Sequence, residues 1–118
     1  MKSILLEKSL SLAVITMKWT SEIHFGYSVF IKNQIQRSCT SIGANIREAS
    51  GSKSQKDFIN KLKTAYQELE ETEYWLRIIS DFLNTKAPDE IHQLCLECRK
   101  MMSSSISTAI KNLKNKQH

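Results

Sequence analysis

The sequence predicts an all-α protein, an antiparallel up-down four-helix bundle, and three observations lead to this class. Apolar residues recur at alternating spacings of three and four, which is the period of an amphipathic helix rather than of a strand. Helix-breaking residues are scarce, with one Pro and three Gly, so long helices with short connections are expected. A chain of 118 residues buries one hydrophobic core, so residues 1–118 are expected to form a single domain.

The first two helices are predicted over residues 3–20 and 28–49. Gly26 indicates a break between them, and Ser28 is a candidate N-cap for the second helix. Gly51 stands where a left-handed residue commonly ends a helix. The predicted core face of the second helix comprises Ile31, Ile35, Ser38, Ile42, Ile46 and Ala49.

The third and fourth helices are predicted over residues 55–83 and 88–113. Ser54 and Asp57 resemble a capping box, and Pro88 suits the first position of a helix. The lysine-rich residues that follow are expected to form a fraying, solvated tail. The predicted seam of the third helix comprises Phe58, Leu62, Ala65, Leu69, Thr72, Leu76, Ile79 and Leu83.

Polar residues follow one flank of the second helix, at the margin of its core face. Such groups must find partners, because unpaired polar groups at a core margin cost stability. Arg37 and Glu48 lie about 16 Å apart at 1.5 Å per residue, so their partners must come from other helices or another subunit. A ligand is the alternative. This polar flank comprises Gln34, Arg37, Ser41, Asn45 and Glu48.

These residues also carry a family resemblance. The pattern Gln34-x-x-Arg37-Ser38 followed by Ser41-Ile42-x-x-Asn45-Ile46-x-Glu48 resembles the signature of the four helix bundle protein family, also called the 23S ribosomal RNA intervening-sequence proteins. The resemblance extends to Glu68-Leu69-x-Glu71-Thr72 in the third helix. Many members have Gly directly after the glutamate, where this chain has Ala49.

The resemblance implies a small up-down bundle that commonly assembles as a five-membered ring, with no established catalytic residues. It also associates the chain with RNA. A more distant resemblance is to the accessory proteins of diversity-generating retroelements, which are bundle rings that bind a reverse transcriptase and its RNA. The partners implied are therefore further copies of the chain, RNA or DNA, and a protein such as a reverse transcriptase.

An apolar ridge lies to one side of the third-helix seam. Trp75, Ile78 and Phe82 form this ridge, which a fourth helix can cover only in part. A wide core stripe would explain it without any partner. Because exposed apolar ridges are costly in water, a subunit interface is the favoured interpretation.

The net charge of +5 and pI near 9.2 suit an anionic partner. Six candidate lysines for such contact are expected near the start of the third helix and at the C-terminal end. Lys32 and Arg47 are expected nearby on the second helix. Repetition around a ring would strengthen weak individual phosphate contacts. A protein–protein module, with charge serving solubility only, is the competing hypothesis. The candidate nucleic-acid-binding residues are Lys53, Lys56, Lys63, Lys111, Lys114 and Lys116.

No enzymatic, cofactor or metal site is predicted. Cys95 and Cys98 with His92 lack a fourth ligand of zinc spacing, so buried thiols acting as small apolar groups are favoured. No nucleophile and base stand in a recognisable arrangement. The N-terminal apolar run is too short to span a bilayer or act as a signal. With three cysteines, these features favour a cytoplasmic, non-enzymatic protein without membrane contact.

Overall fold

The computed structural model describes residues 3–116, which form four α-helices and no strand. The predicted all-α class with four helices is confirmed. A single turn of 3-10 helix, Gly26–Ser28, precedes the second helix. The helices are α1 (Ser3–Ser21), α2 (Val29–Ser50), α3 (Gln55–Leu83) and α4 (Asp89–Lys116).

Contacts along α2 and α3 show that these helices run antiparallel. Arg37, in the first half of α2, reaches Glu68 in the middle of α3, whereas Glu48 near the end of α2 meets Lys61 near the start of α3. Each helix packs against its neighbours in sequence, and α1 closes the bundle against α4. The resulting body measures 56 × 23 × 21 Å.

The core lies on the central axis, where each helix contributes a buried stripe at spacings of three and four. The buried stripe of α2 is the predicted one with the addition of Cys39. A buried polar contact crosses this core between α2 and α3. The Thr72 hydroxyl donates a hydrogen bond of 2.8 Å to the Ser38 hydroxyl, and both residues are fully buried. The α3 stripe begins at Ile59 rather than Phe58, which is half-buried.

The connection between α1 and α2 is packed onto the core. Phe25 is 7% exposed, and Gly26 has φ +56°, a conformation that favours glycine. Ser28 occupies the N-cap position of α2, but its side chain makes no capping hydrogen bond. In contrast, the Ser54 hydroxyl accepts a hydrogen bond from the Asp57 amide, as the capping pattern predicts.

Two helix ends differ from the sequence expectation. Gly51 has φ −93°, so the predicted left-handed conformation at the end of α2 is wrong; its amide bonds back to the Glu48 carbonyl instead. The left-handed residue is Asn84, with φ 51°, which ends α3. Asparagine tolerates this conformation better than most residues.

The fourth helix is longer than predicted at its C-terminal end. It begins at Asp89, one residue after Pro88, and continues to Lys116 instead of ending at residue 113. The lysine-rich segment is therefore part of α4, which places Lys111, Lys114 and Lys116 on its last turns. No helix in residues 3–116 combines the length and apolarity needed to cross a bilayer.

Candidate functional site

The candidate lysines cluster at one end of the bundle. Lys53 lies in the turn between α2 and α3, Lys56 in the first turn of α3, and Lys63 two turns later. The last turns of α4 reach the same end, because Lys53 and Lys116 line one cleft. All six candidate lysines are exposed, and none forms a salt bridge within residues 3–116.

Charge is distributed unevenly along the long axis. The end of the bundle formed by residues 3–10, 43–64 and 104–116, here called the basic end, carries nine basic and three acidic residues. Residues 11–42 and 65–103 carry seven basic and nine acidic residues. The positive charge of the protein is thus concentrated at the basic end, where the electrostatic potential is expected to attract anions.

Arg47 and Lys32, the two basic residues of α2 expected near the candidate lysines, do not lie together. Arg47 is near the end of α2 and belongs to the basic end, whereas Lys32 is in the first turn of the same helix. Fifteen residues of helix separate them by about 22 Å. The expectation that Lys32 joins the basic band is therefore wrong.

The arginine of the polar flank forms a fork to two carboxylates of α3. Arg37 Nη1 donates to Glu68 Oε2 at 3.2 Å, and Nη2 donates to Glu71 Oε2. The hydrogen bond to Glu68 has the largest effect on the pKa of Arg37, and together with the bond to Glu71 it raises that pKa above its ordinary value. Trp75 Nε1 donates to the same Glu71 oxygen at 3.4 Å. The fork thus links the polar flank of α2 to the apolar ridge of α3.

The remaining flank residues have partners within the chain, except Gln34, which is exposed and makes no hydrogen bond within the described part of the chain. Lys61 of α3 donates to Glu48 at 2.7 Å. The Ser41 hydroxyl and the Asn45 amide each donate to the backbone carbonyl four residues earlier. The partners of Arg37 and Glu48 therefore come from another helix of the same chain, with no ligand or second subunit required.

The three ridge residues of α3 differ in exposure. Trp75 and Ile78 are half-buried and pack against the core, whereas Phe82 is 65% exposed. Phe30 of α2, which sequence reasoning missed, is 57% exposed. It precedes Arg37 by two turns, on the α3-facing flank. Because Ser38 meets Thr72 and the helices are antiparallel, Phe30 is level with Ser80, beside the ridge.

These four residues, Phe30, Trp75, Ile78 and Phe82, are here called the aromatic flank. The signal for Phe30 was present in the sequence as a spacing of seven from Arg37, but it required knowing which flank of α2 faces α3. The aromatic flank and the basic end lie at opposite ends of the α2–α3 hairpin.

A cleft of about 650 Å³ opens at the basic end, between the α2–α3 turn and the C-terminal half of α4. Lys53 and Lys116 both line it, together with the hydroxyl residues Ser104, Ser105 and Thr108 of α4. None of the described residues that line it is acidic. A volume in this range is common for small-molecule sites, which span about 300–1,000 Å³.

The cysteines lie in the core and not in a site. Cys39, Cys95 and Cys98 are buried with free thiols, whereas His92 is exposed. Burial raises their pKa values to about 11 for Cys39 and Cys98 and about 12 for Cys95. Residues 3–116 contain no cluster of His, Cys, Asp and Glu side chains suited to a metal ion.

Comparison with known proteins identifies the family. The model of the 23S rRNA-intervening sequence protein family matches residues 1–104. The chain belongs to this family. The match covers α1, α2, α3 and half of α4, and so includes the polar flank, the aromatic flank and three of the six candidate lysines. Among curated proteins, none matches.

A solved structure supports the same placement in the 23S rRNA-intervening sequence protein family. It is the crystal structure of a protein of unknown function from the S23 ribosomal protein family of Bacteroides thetaiotaomicron. The two chains are 36% identical, and the match covers 88% of this chain and 96% of the other, with a TM-score of 0.79. The family is therefore established, while the activity of this solved relative is not described by its name.

Proposed function

We propose that this member of the family is a non-enzymatic, oligomeric scaffold in the cytoplasm whose basic end contacts the phosphates of RNA or DNA. The observation that carries the proposal is the segregation of charge. Nine of the sixteen basic residues in positions 3–116 lie at the basic end, against three of twelve acidic ones. A surface with unpaired lysines attracts a polyanion without reading its sequence.

Assembly is the second part of the proposal. The aromatic flank leaves Phe30 and Phe82 more than half exposed, and a homo-oligomer is the partner that we favour for it. A five-membered ring is the assembly that the family resemblance suggests. Because the aromatic flank is distant from the basic end, assembly through the flank would leave the basic ends accessible and present several of them together. Multivalency would then strengthen contacts that are weak individually.

Salt-dependent binding tests the nucleic-acid part. We expect the full chain to bind unrelated RNA and DNA sequences similarly, with affinity that falls steeply as salt rises. Replacing Lys53, Lys56 and Lys63 together by Gln should weaken binding and flatten the slope of log affinity against log salt. The matched control replaces Lys18, Lys32 and Lys86, which are outside the basic end, and should change the slope less. Absence of binding by the intact oligomer at low salt would overturn this part.

Light scattering tests the assembly part. We expect a closed oligomer, and Phe82→Glu should dissociate it while helical circular dichroism remains. Phe82 is a sharper position than Trp75, because Trp75 packs partly against the core and bonds to Glu71. Ser80→Glu, on an exposed neighbouring position, is the control. A monomeric wild-type protein at micromolar concentration would contradict the assembly proposal.

A protein–protein module without a nucleic-acid role is the second candidate function. The aromatic flank favours it, because exposed aromatic residues beside a charged fork are typical of protein interfaces. Under this alternative the flank binds a different protein, such as a reverse transcriptase, and the basic end serves solubility. A wild-type protein that is monomeric and fails to bind RNA at low salt would favour this function.

A further inference from the structure

Several hydroxyl groups of α4 differ from most of those in α2 and α3 in their hydrogen bonding. Serine and threonine inside helices usually donate to the carbonyl four residues earlier. Thr40, Ser50 and Thr64 make this bond in α2 and α3. In α4, none of the hydroxyls of Ser103, Ser104, Ser105, Ser107 and Thr108 makes a hydrogen bond within residues 3–116, and in α3 that of Ser80 makes none either.

These three hydroxyls lie on the wall of the cleft at the basic end. Ser104 and Ser105 are one turn of α4 before Thr108, so all three line the same wall. Their hydroxyl groups are therefore available to a ligand in the cleft. Its two lining lysines, Lys53 and Lys116, form no salt bridge with any residue in positions 3–116.

The neighbouring groups leave this positive charge uncompensated. The nearest acidic residues in sequence are Glu48 and Asp57, and neither lines the cleft. The Glu48 carboxylate is paired with Lys61. The hydroxyls of Ser50 and Ser52, which also line the cleft, donate to backbone carbonyls and supply no donor to a ligand. The α4 hydroxyls and the two lysines remain as donors to a ligand, together with Asn112, whose amide also lines the cleft.

We propose that this cleft binds a phosphate group, with Ser104, Ser105 and Thr108 donating hydrogen bonds and Lys53 and Lys116 supplying the positive charge. Phosphate is a strong acceptor with several oxygens, so it matches a set of donors that has no acidic member. The inference rests on the proposed function for one source of that phosphate, the backbone of a nucleic acid. The other source is free inorganic phosphate. The cleft would fix the position of one phosphate, whereas the surrounding basic end attracts the rest of the strand.

Charge-neutral variants separate this cleft from general electrostatic attraction. Ser105→Ala with Thr108→Val removes two donors without changing the net charge, and we expect the affinity for a single-stranded RNA oligonucleotide to fall roughly three- to tenfold. The control is Ser103→Ala with Ser107→Ala, because these two hydroxyls face a different groove, between α3 and α4. The control should retain wild-type affinity. Circular dichroism checks that both variants remain helical.

A matched pair of lysines gives a second comparison. Lys53 lines the cleft, whereas Lys56, three residues later and also exposed, does not. Lys53→Gln should weaken RNA binding more than Lys56→Gln, although each removes one positive charge. Equal effects of the two lysines, together with no effect of the hydroxyl variant, would overturn the cleft while leaving the proposed nucleic-acid contact intact.

Inorganic phosphate distinguishes the two sources. In amide NMR spectra of the full chain, millimolar phosphate should shift signals of residues 52–54 and 104–108, and the hydroxyl variant should lose these shifts. If RNA is not bound but phosphate shifts these signals, the proposed function fails and the cleft stands as a site for free phosphate. If neither RNA binding nor phosphate shifts are observed, both proposals are wrong.

Discussion

The hydrogen bond between Ser38 and Thr72 is the polar contact that crosses the core between α2 and α3, and a double-mutant cycle measures its strength. Ser38 Oγ accepts from Thr72 at 2.8 Å and donates to the Ile35 carbonyl at 3.2 Å. Thr72 Oγ1 is also 2.9 Å from the Glu68 carbonyl. The perturbations are Ser38→Ala, Thr72→Val and the two together.

Each single variant leaves the other residue with part of its hydrogen bonding. In Ser38→Ala the Thr72 hydroxyl can turn its hydrogen to the Glu68 carbonyl, so we expect a loss of about 1 kcal/mol in the free energy of unfolding. In Thr72→Val a methyl group meets the Ser38 oxygen, and we expect a loss of about 1–2 kcal/mol. The double variant places two apolar groups together and should lose about 1 kcal/mol in total. The two single losses would then exceed the double loss by about 1–2 kcal/mol, which is the expected coupling energy.

Urea unfolding followed by circular dichroism measures these differences at one fixed protein concentration, because the proposed assembly would couple stability to concentration. With a slope of about 2 kcal/mol/M, a change of 1 kcal/mol shifts the midpoint by about 0.5 M. If the two single losses add to within about 0.3 kcal/mol of the double loss, the hydroxyls do not interact and the cross-core bond is refuted.

Three further predictions follow from named contacts. Glu48→Ala should lower the free energy of unfolding in urea by at most about 0.5 kcal/mol, because the ion pair of Glu48 with Lys61 is exposed. Arg37→Ala should lower it by about 1 kcal/mol, because the mostly buried Glu68 carboxylate loses its partner. Equal losses would contradict this ranking. Gly43→Ala should raise stability by up to about 1 kcal/mol in a Ser9→Ala background, because alanine has the higher helix propensity. In the wild-type background thermal unfolding should show a smaller gain, because a Cβ at position 43 lies 3.1 Å from the Ser9 hydroxyl. The three buried thiols should react with a thiol reagent at pH 8 only as fast as the protein unfolds, and immediate labelling of the native protein would contradict their burial. Because burial raises their pKa values to about 11 or 12, their contribution to stability should be complete below about pH 9 and should decline as the pH rises towards 11 or 12.

The spacing of apolar residues predicts most of the fold, because each helix buries one stripe of residues and that stripe is visible in the sequence. The buried residues of α2 show this most clearly, and only Cys39 was added. Local errors arose where periodicity is ambiguous. Phe58 and Ile59 are adjacent apolar residues, and tertiary packing selected the second. Gly51 suggested a left-handed cap, but any residue accepts its observed conformation.

The polar flank shows what spacing alone does not determine. Arg37 and Glu48 are too far apart along α2 to pair with each other, and this distance predicted partners outside their own helix. The partner identities depended on the α2–α3 register, in which Arg37 reaches Glu68 and Glu71 while Glu48 reaches Lys61. The cleft was invisible in the sequence for the same reason, since it joins Lys53 to hydroxyls more than fifty residues later. The extension of α4 to Lys116 had no sequence signal beyond the absence of a breaker.

An even number of antiparallel helices returns the chain to the end where it began. Leu5 and Lys116 line the same cleft, so the two ends of the described chain are close together at the basic end. A circular permutant is therefore feasible, with a short linker joining these ends and new termini in the exposed turn at residues 84–86. Such a permutant would carry an affinity tag or fluorophore at the pole opposite the basic end, whereas a tag joined next to Ser3 or Lys116 would lie close to the lysines.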